Sequence, residues 1–226
     1  MNPAPIWIKI CGNTTLEDAL MAADAGADAV GFVFAPSPRR VTAAQVAAIV
    51  PHLPVTIEKI GVFVDATLDE IVSTVQACGL TGVQLHFDAA PELPAQLHER
   101  LALELRILRV VHFGAGNGEQ QAAEIAEISR NPHVDAVLVD SRTETAVGGT
   151  GVAFDWAAAR KAFSQGGRAC KFIAAGGLNP DNVAEAITTL RPWGVDVVSG
   201  VESAPGSKDR AKVMEFVARA RSGKVA

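Results

Sequence analysis

The sequence predicts a single-domain (β/α)8 barrel, the TIM-barrel architecture, spanning residues 1–226. Three observations predict it. Strand-like and helix-like segments alternate from one end of the chain to the other, and alternation of this kind implies a parallel sheet. Eight such units share 226 residues, close to the usual length of about 250 residues for an eight-unit barrel. The glycine-rich turns cluster after the sixth, seventh and eighth strands rather than after the first. An open doubly wound sheet alternates in the same way and is the competing architecture.

The elements follow in order. A short strand over 6–10 precedes a helix over 16–25, where Thr14 and Glu17 are spaced to satisfy the free N–H groups of a first turn reciprocally. An apolar strand at 29–34 is followed by a helix at 43–50. The third unit is a strand at 59–64 and a helix from 68, with Thr67 and Glu70 spaced as a capping box. The fourth is a strand at 82–85 with a helix at 91–101, and the fifth a strand at 105–111 with a helix at 119–129. The sixth strand, 134–139, leads to a helix at 155–163. The seventh, 171–174, leads to a helix opened by Asn179 and Pro180, a cap followed by proline at the first helical position. The eighth strand, 195–199, precedes a last helix at 208–219. No stretch reads as a linker or a low-complexity segment.

Composition narrows the class. Hydrophobic residues make up 49% of the chain, ordinary for a packed globular protein. A formal charge of −5 without long basic runs argues against nucleic acid or a membrane surface as a partner. No charge-free apolar run is long enough to cross a bilayer. The first residues lack the basic and apolar regions of a secretory signal. Cys11, Cys78 and Cys170 are odd in number and far apart, which fits neither a disulfide framework nor a metal site and suits a reducing cytoplasm. The expectation is a cytoplasmic enzyme, monomer or homodimer, acting on a small molecule.

In a barrel of this kind the site lies where strands end and loops begin. Cys11 ends the first strand just before a Gly-Asn turn. Side chains alternate along a strand, so Lys9 and Cys11 share the inward face while Ile8 and Ile10 face the helices. A free thiol is only slightly ionised at neutral pH, and the Lys9 ammonium below it would favour the thiolate. The alternative is a small buried hydrophobe; Cys78 and Cys170 are read that way. Asp140 ends the apolar sixth strand across the mouth from Cys11. A thiolate base and a carboxylic acid facing each other form an acid/base pair, although an aspartate at such a turn also serves as a loop cap.

Glycines let backbone N–H groups approach an anion closely. Gly149, Thr150 and Gly151, then Gly176 and Gly177, then Ser199 and Gly200 fall on three adjacent top-face loops, the common place for a phosphate in this fold. Tight turns alone are the other reading. Two prolines stiffen the loop before Arg39 and Arg40, which suits bidentate capture of a carboxylate or phosphate, or simply makes a solvated basic turn. Gln84 and His86 share one face of the fourth strand and are candidate substrate contacts. Asp196 on the eighth strand is a buried polar residue that needs a partner, either ligand or protein.

These motifs together resemble the phosphoribosylanthranilate isomerase family of tryptophan biosynthesis. The resemblance runs nearly the whole chain, through Lys9-Ile10-Cys11-Gly12, Ser37-Pro38-Arg39-Arg40, Val83-Gln84-Leu85-His86, Val139-Asp140-Ser141, Gly148-Gly149-Thr150-Gly151, Gly176-Gly177-Leu178-Asn179-Pro180 and Asp196-Val197-Val198-Ser199-Gly200-Val201-Glu202. It implies an Amadori rearrangement of N-(5′-phosphoribosyl)anthranilate with Asp140 as general acid and Cys11 as general base. It places Arg40 at the anthranilate end and the phosphate in the glycine loops. It implies no metal and no cofactor. The competing functions are another phosphosugar isomerase or epimerase on the same barrel, and a non-catalytic phosphoribosyl-ligand binding protein. The nearest isomerase of the first kind acts on an aminoimidazole and would be expected to use two aspartates. A binding protein need not keep both Cys11 and Asp140.

Overall fold

The computed structural model describes residues 5–86, 89–101, 104–112, 118–140 and 171–223. Eight parallel strands pair in chain order and the first closes on the last, so the barrel, not the open sheet, is the architecture. The strands are β1 (Trp7–Ile10), β2 (Ala29–Val33), β3 (Glu58–Val64), β4 (Gly82–His86), β5 (Arg106–His112), β6 (Ala136–Asp140), β7 (Lys171–Ala175) and β8 (Gly194–Val197). Between them run α1 (Leu16–Asp24), α2 (Ala43–Ile49), α3 (Leu68–Cys78), α4 (Leu93–Leu101), α5 (Gly118–Ile128) and a helix at Val183–Leu190. A final helix covers Arg210–Ser222. The helix expected at 155–163 lies outside the described residues.

The two faces of β1 separate as alternation requires. Ile8 and Ile10 join the large apolar layer between sheet and helices, with Phe32, Ile107, Val195 and Phe216. The barrel interior is a second, smaller cluster that includes Trp7, Ile60, Leu108, Leu138 and Ile173. Burying each large aliphatic or aromatic side chain contributes about 1.5–3 kcal/mol. At the N-terminal end, Trp7 stacks on Trp193 with ring centroids 5.1 Å apart and closes the barrel floor. The opposite end is polar, and the strands deliver their functional side chains there.

Caps follow local chemistry, with three shifts. Thr67 and Glu70 form the expected box before α3, and Thr42 and Gln45 form another before α2. Before α1 the cap is Thr15 rather than Thr14, accepting from the Asp18 N–H at 3.1 Å. Thr14 instead donates to the Gly206 carbonyl, and the Asp18 carboxylate accepts from the Lys208 backbone N–H, so Glu17 does not complete a box. The helix after β7 begins at Val183, not beside Pro180. Asn179 Oδ1 accepts from the N–H groups of Asp181 and Asn182, and this side-chain turn delays the helix by one turn. After β8 the chain leaves the sheet at Val197 and makes a tight turn at Ser199–Val201. It then folds a short hairpin of Glu202–Ala204 with Ser207–Lys208. Lys208 therefore belongs to the hairpin, and Asp209 caps the final helix.

Candidate active site

Cys11 continues β1 beyond its last paired residue, with its backbone N–H donating to the Val197 carbonyl of β8 at 2.9 Å. Gly12 follows in the left-handed region at φ 75°. Asn13 then folds back, its side-chain amide donating to the carbonyls of Ile10 and Gly31. The turn is thereby pinned to both neighbouring strands, and the thiol is only 3% exposed. Gly31 on β2 makes room for it. A Cβ there would sit 2.5 Å from the Cys11 sulfur and 3.0 Å from Lys9 Cε, so only glycine fits beside this cysteine without displacing it.

Beneath the thiol lies a polar layer inside the barrel. Lys9 is fully buried, and its Nζ donates to Asp196 Oδ1 at 2.9 Å and Gln84 Oε1 at 2.8 Å. The ammonium loses water but faces a carboxylate and the cysteine, which together hold it above the ordinary lysine range. Gln84 carries the order one step outward. Its oxygen is committed to Lys9, so its amide nitrogen, a donor only, meets His86 Nε2 at 2.8 Å. That makes His86 Nε2 an acceptor and places the proton of the neutral imidazole on Nδ1. The His86 ring lies 5.7 Å from that of His112 at the end of β5. Lys9, Gln84 and Asp196 thus form a closed support under the site, and His86 reaches toward its rim.

Asp140 ends β6 and is buried. Its register partners are His112 on β5 and Ala175 on β7. Asp140 has the same strand parity as Leu138 of the barrel interior, and only β7 and β8 separate its strand from β1, so both strand ends border the C-terminal mouth.

The loops after β7 and β8 meet backbone to backbone. A Cβ on Gly200 would lie 1.9 Å from the Leu178 carbonyl oxygen, a contact that only glycine permits. Gly176 and Gly177 are both left-handed, at φ 85° and 66°, and a Cβ on Gly177 would meet nothing within 4 Å. Asn182 donates from its side chain to the Gly177 carbonyl and fixes the loop. Ser199 is exposed beside Gly200. Gly149, Thr150 and Gly151 lie outside the described residues.

The two loop arginines divide their work. Arg39 turns inward, and its Nε and Nη2 donate to the Glu202 carboxylate at 2.8 and 2.6 Å. These bonds raise its already high pKa. Arg40 is exposed, and its guanidinium makes no hydrogen bond or ion pair to another described residue. Glu202 and Lys208 are the part of this region that the sequence does not single out. Lys208 falls at the start of an expected helix, and Glu202 stands only within a longer motif, whereas Arg39 is a candidate carboxylate partner whose carboxylate is the protein's own. Burial pushes the Glu202 carboxyl up, but the Arg39 hydrogen bonds and the Lys208 charge outweigh it and hold it below the usual 4.5. Burial likewise pulls Lys208 below the ordinary lysine range. For Cys11, burial is the largest influence and pushes the thiol above its usual 9.0, against the opposing pull of Lys9.

A (β/α)8 barrel with polar side chains and abutting glycine loops gathered at its C-terminal mouth has the layout of an enzyme of this fold. Residues 8–219 match the family described as N-(5′-phosphoribosyl)anthranilate (PRA) isomerase, and the chain belongs to that family. It is 46% identical over 217 residues to the N-(5′-phosphoribosyl)anthranilate isomerase of Magnetococcus marinus, covering 96% of this chain and 95% of the relative. It is 43% identical to that of a Geobacter strain, covering 95% and 97%. Among solved structures it resembles phosphoribosyl anthranilate isomerase from Thermotoga maritima. One such structure is 34% identical, with a TM-score of 0.84 over 96% of this chain and 99% of that one. Another phosphoribosyl anthranilate isomerase, solved in complex with reduced 1-(o-carboxyphenylamino)-1-deoxyribulose 5-phosphate, is 33% identical, with a TM-score of 0.80 and coverage of 96% and 99%. Among the described residues no helix is long and apolar enough to cross a membrane.

Proposed function

We propose that this chain rearranges N-(5′-phosphoribosyl)anthranilate to 1-(2-carboxyphenylamino)-1-deoxyribulose 5-phosphate, with Asp140 as general acid and Cys11 as general base. The single observation that carries the reading is the placement of thiol and carboxyl on one barrel mouth, beside the abutting loops of Gly176, Gly177 and Gly200. Asp140 gives its proton to the furanose ring oxygen. The C1′–O bond breaks, and the nitrogen lone pair forms the Schiff base. The Cys11 thiolate removes the proton on C2′, and the C2′–H electrons move toward the imine nitrogen to give an enolamine. Return of a proton to C1′ and loss of the enol proton leave the ketone, so reactant and product have the same atoms. The iminium nitrogen is itself the electron sink, which is why the reaction asks for no metal or cofactor.

The ends of the substrate sort by charge. The phosphate suits backbone N–H groups of the loops after β7 and β8, joined by Gly149, Thr150 and Gly151 after β6. The anthranilate carboxylate suits Arg40, whose guanidinium is exposed while Arg39 is bound to Glu202. His86 lines the rim, and Gln84, Asp196 and Lys9 hold the layer below. The test follows loss of the anthranilate-adduct fluorescence with wild type, Cys11→Ser and Asp140→Asn. Wild type is expected to be active, and each variant about 10²–10⁴-fold slower in kcat. Full activity in either variant overturns its role, and an inactive wild type overturns the substrate.

A further inference from the structure

A second charged cluster, outside the barrel wall, grips the Cys11 turn. Lys208 is fully buried at its side chain, and its Nζ donates to the Cys11 carbonyl at 2.6 Å and the Val198 carbonyl at 3.2 Å. The same Nζ lies 3.2 Å from Glu202 Oε1. Arg39 takes both oxygens of that carboxylate, and its side chain packs over Gly12, where a Cβ would lie 2.8 Å from Arg39 Cδ. Lys212 of the final helix donates to the Glu202 backbone carbonyl. The hairpin, the loop after β2 and the end of β1 are therefore tied at one point.

The two clusters flanking Cys11 differ in charge. Lys9 and Asp196 form a one-to-one ion pair. Among the described residues the side chains of Arg39 and Lys208 share one carboxylate partner, Glu202, an excess of one positive charge in that contact, while the Asp18 carboxylate meets the Lys208 backbone N–H. We propose that Arg39, Glu202 and Lys208 are positioning residues that aim the Cys11 thiol and favour its thiolate. They act through the hydrogen bond from Lys208 to the Cys11 carbonyl and through that single excess charge. The proposal rests on Cys11 being the base but is independent of the substrate. On ionisation the S–H proton passes to solvent water, and the thiolate charge balances the triad. Among the described residues the charged groups that face Cys11 are Lys9 on its own strand, Asp196 on β8, Glu202 and Lys208 on the hairpin, and Arg39 on the loop after β2. Lys208 pulls the thiol down, the sign this requires, though less than Lys9 does, and burial still holds the thiol above its usual 9.0.

The experiment titrates the ultraviolet absorbance of the thiolate, taken as each protein minus its Cys11→Ser counterpart. The sequence contains no tyrosine, so no tyrosinate overlaps the signal. Lys208→Met and Arg39→Met should each raise the Cys11 midpoint by about one unit, the usual effect of removing a nearby opposite charge. That makes the thiolate about tenfold scarcer at a fixed pH below the midpoint. Lys208→Arg should hold the midpoint within a few tenths of a unit of wild type, because the charge is kept. Arg39→Met leaves the Lys208 hydrogen bond in place and serves if Lys208→Met does not fold. An unmoved midpoint in the folded triad variants overturns the proposal. Shifted midpoints with no turnover of phosphoribosylanthranilate would leave the triad standing and remove the substrate reading instead.

Discussion

Inside the barrel, Lys9 and Asp196 form a neutral pair, closed off by Gln84 and the surrounding apolar layer. Outside it, at the end of the same strand, Arg39, Glu202 and Lys208 form a cluster with a net charge. Both are buried, and both act on one cysteine. A one-to-one pair holds geometry, whereas two cations on one carboxylate leave an excess of charge in their contact. The difference teaches that the help a lysine beneath a thiol gives to its ionisation is reduced by the counter-ion it also faces, since Lys9 pulls the thiol down while Asp196 pushes it up.

The largest expected effect comes from breaking the inner pair. Lys9→Met leaves the Asp196 carboxylate buried without its cation, and such breaks cost about 3–5 kcal/mol. Urea unfolding should show that loss, and adding Asp196→Asn should recover most of it. The same variant sharpens the electrostatic contrast. With Lys9 gone and Asp196 still charged, the pH–rate profile should move to higher pH, and the shift should shrink in the double variant. An unshifted profile in Lys9→Met would remove Lys9 from the ionisation of Cys11.

A smaller effect is expected at Glu202. Glu202→Gln should lose about 1.5–3 kcal/mol, the scale of hydrogen bonds to a charged group. The sign with pH follows from the folded carboxyl lying below its usual 4.5. Its contribution is present above that value and is lost as pH falls through the folded value. The stability gap between wild type and Glu202→Gln should therefore be full at neutral pH and close on acidification. A gap that stays constant into strong acid would remove Glu202 from the acid limb.

The smallest effect belongs to an ion pair in water. Arg100 and Asp69 meet at 2.9 Å, but both are exposed. Arg100→Ala should cost under about 1 kcal/mol, and added salt should erase the difference. A loss matching that of Lys9→Met would mean that burial is not what separates these pairs.

Much of the site was legible in the sequence. The inward face of β1, and with it the pairing of Lys9 and Cys11, follows from alternation alone. Asp140 is readable as a polar residue ending an apolar strand. Thr67 and Glu70 box α3 because the signal spans four residues of one segment. Arg39 and Arg40 were different. They are adjacent in the same stiff loop, and nothing local says which of them a protein carboxylate will claim. That carboxylate lies 163 positions away.

The sequence by itself determined the eight-unit order, the inward and outward faces of the strands and the chemical types at their ends, because periodicity and turn chemistry act over a few residues. Only the tertiary structure decided that Lys208 leaves its expected helix for a hairpin and reaches the Cys11 carbonyl. It also decided that Asp196 belongs to Lys9, and that Gly200 lets two loops touch. The first two depend on β8 closing against β1, which brings the two ends of the chain together and lets buried charges find partners no local pattern specifies.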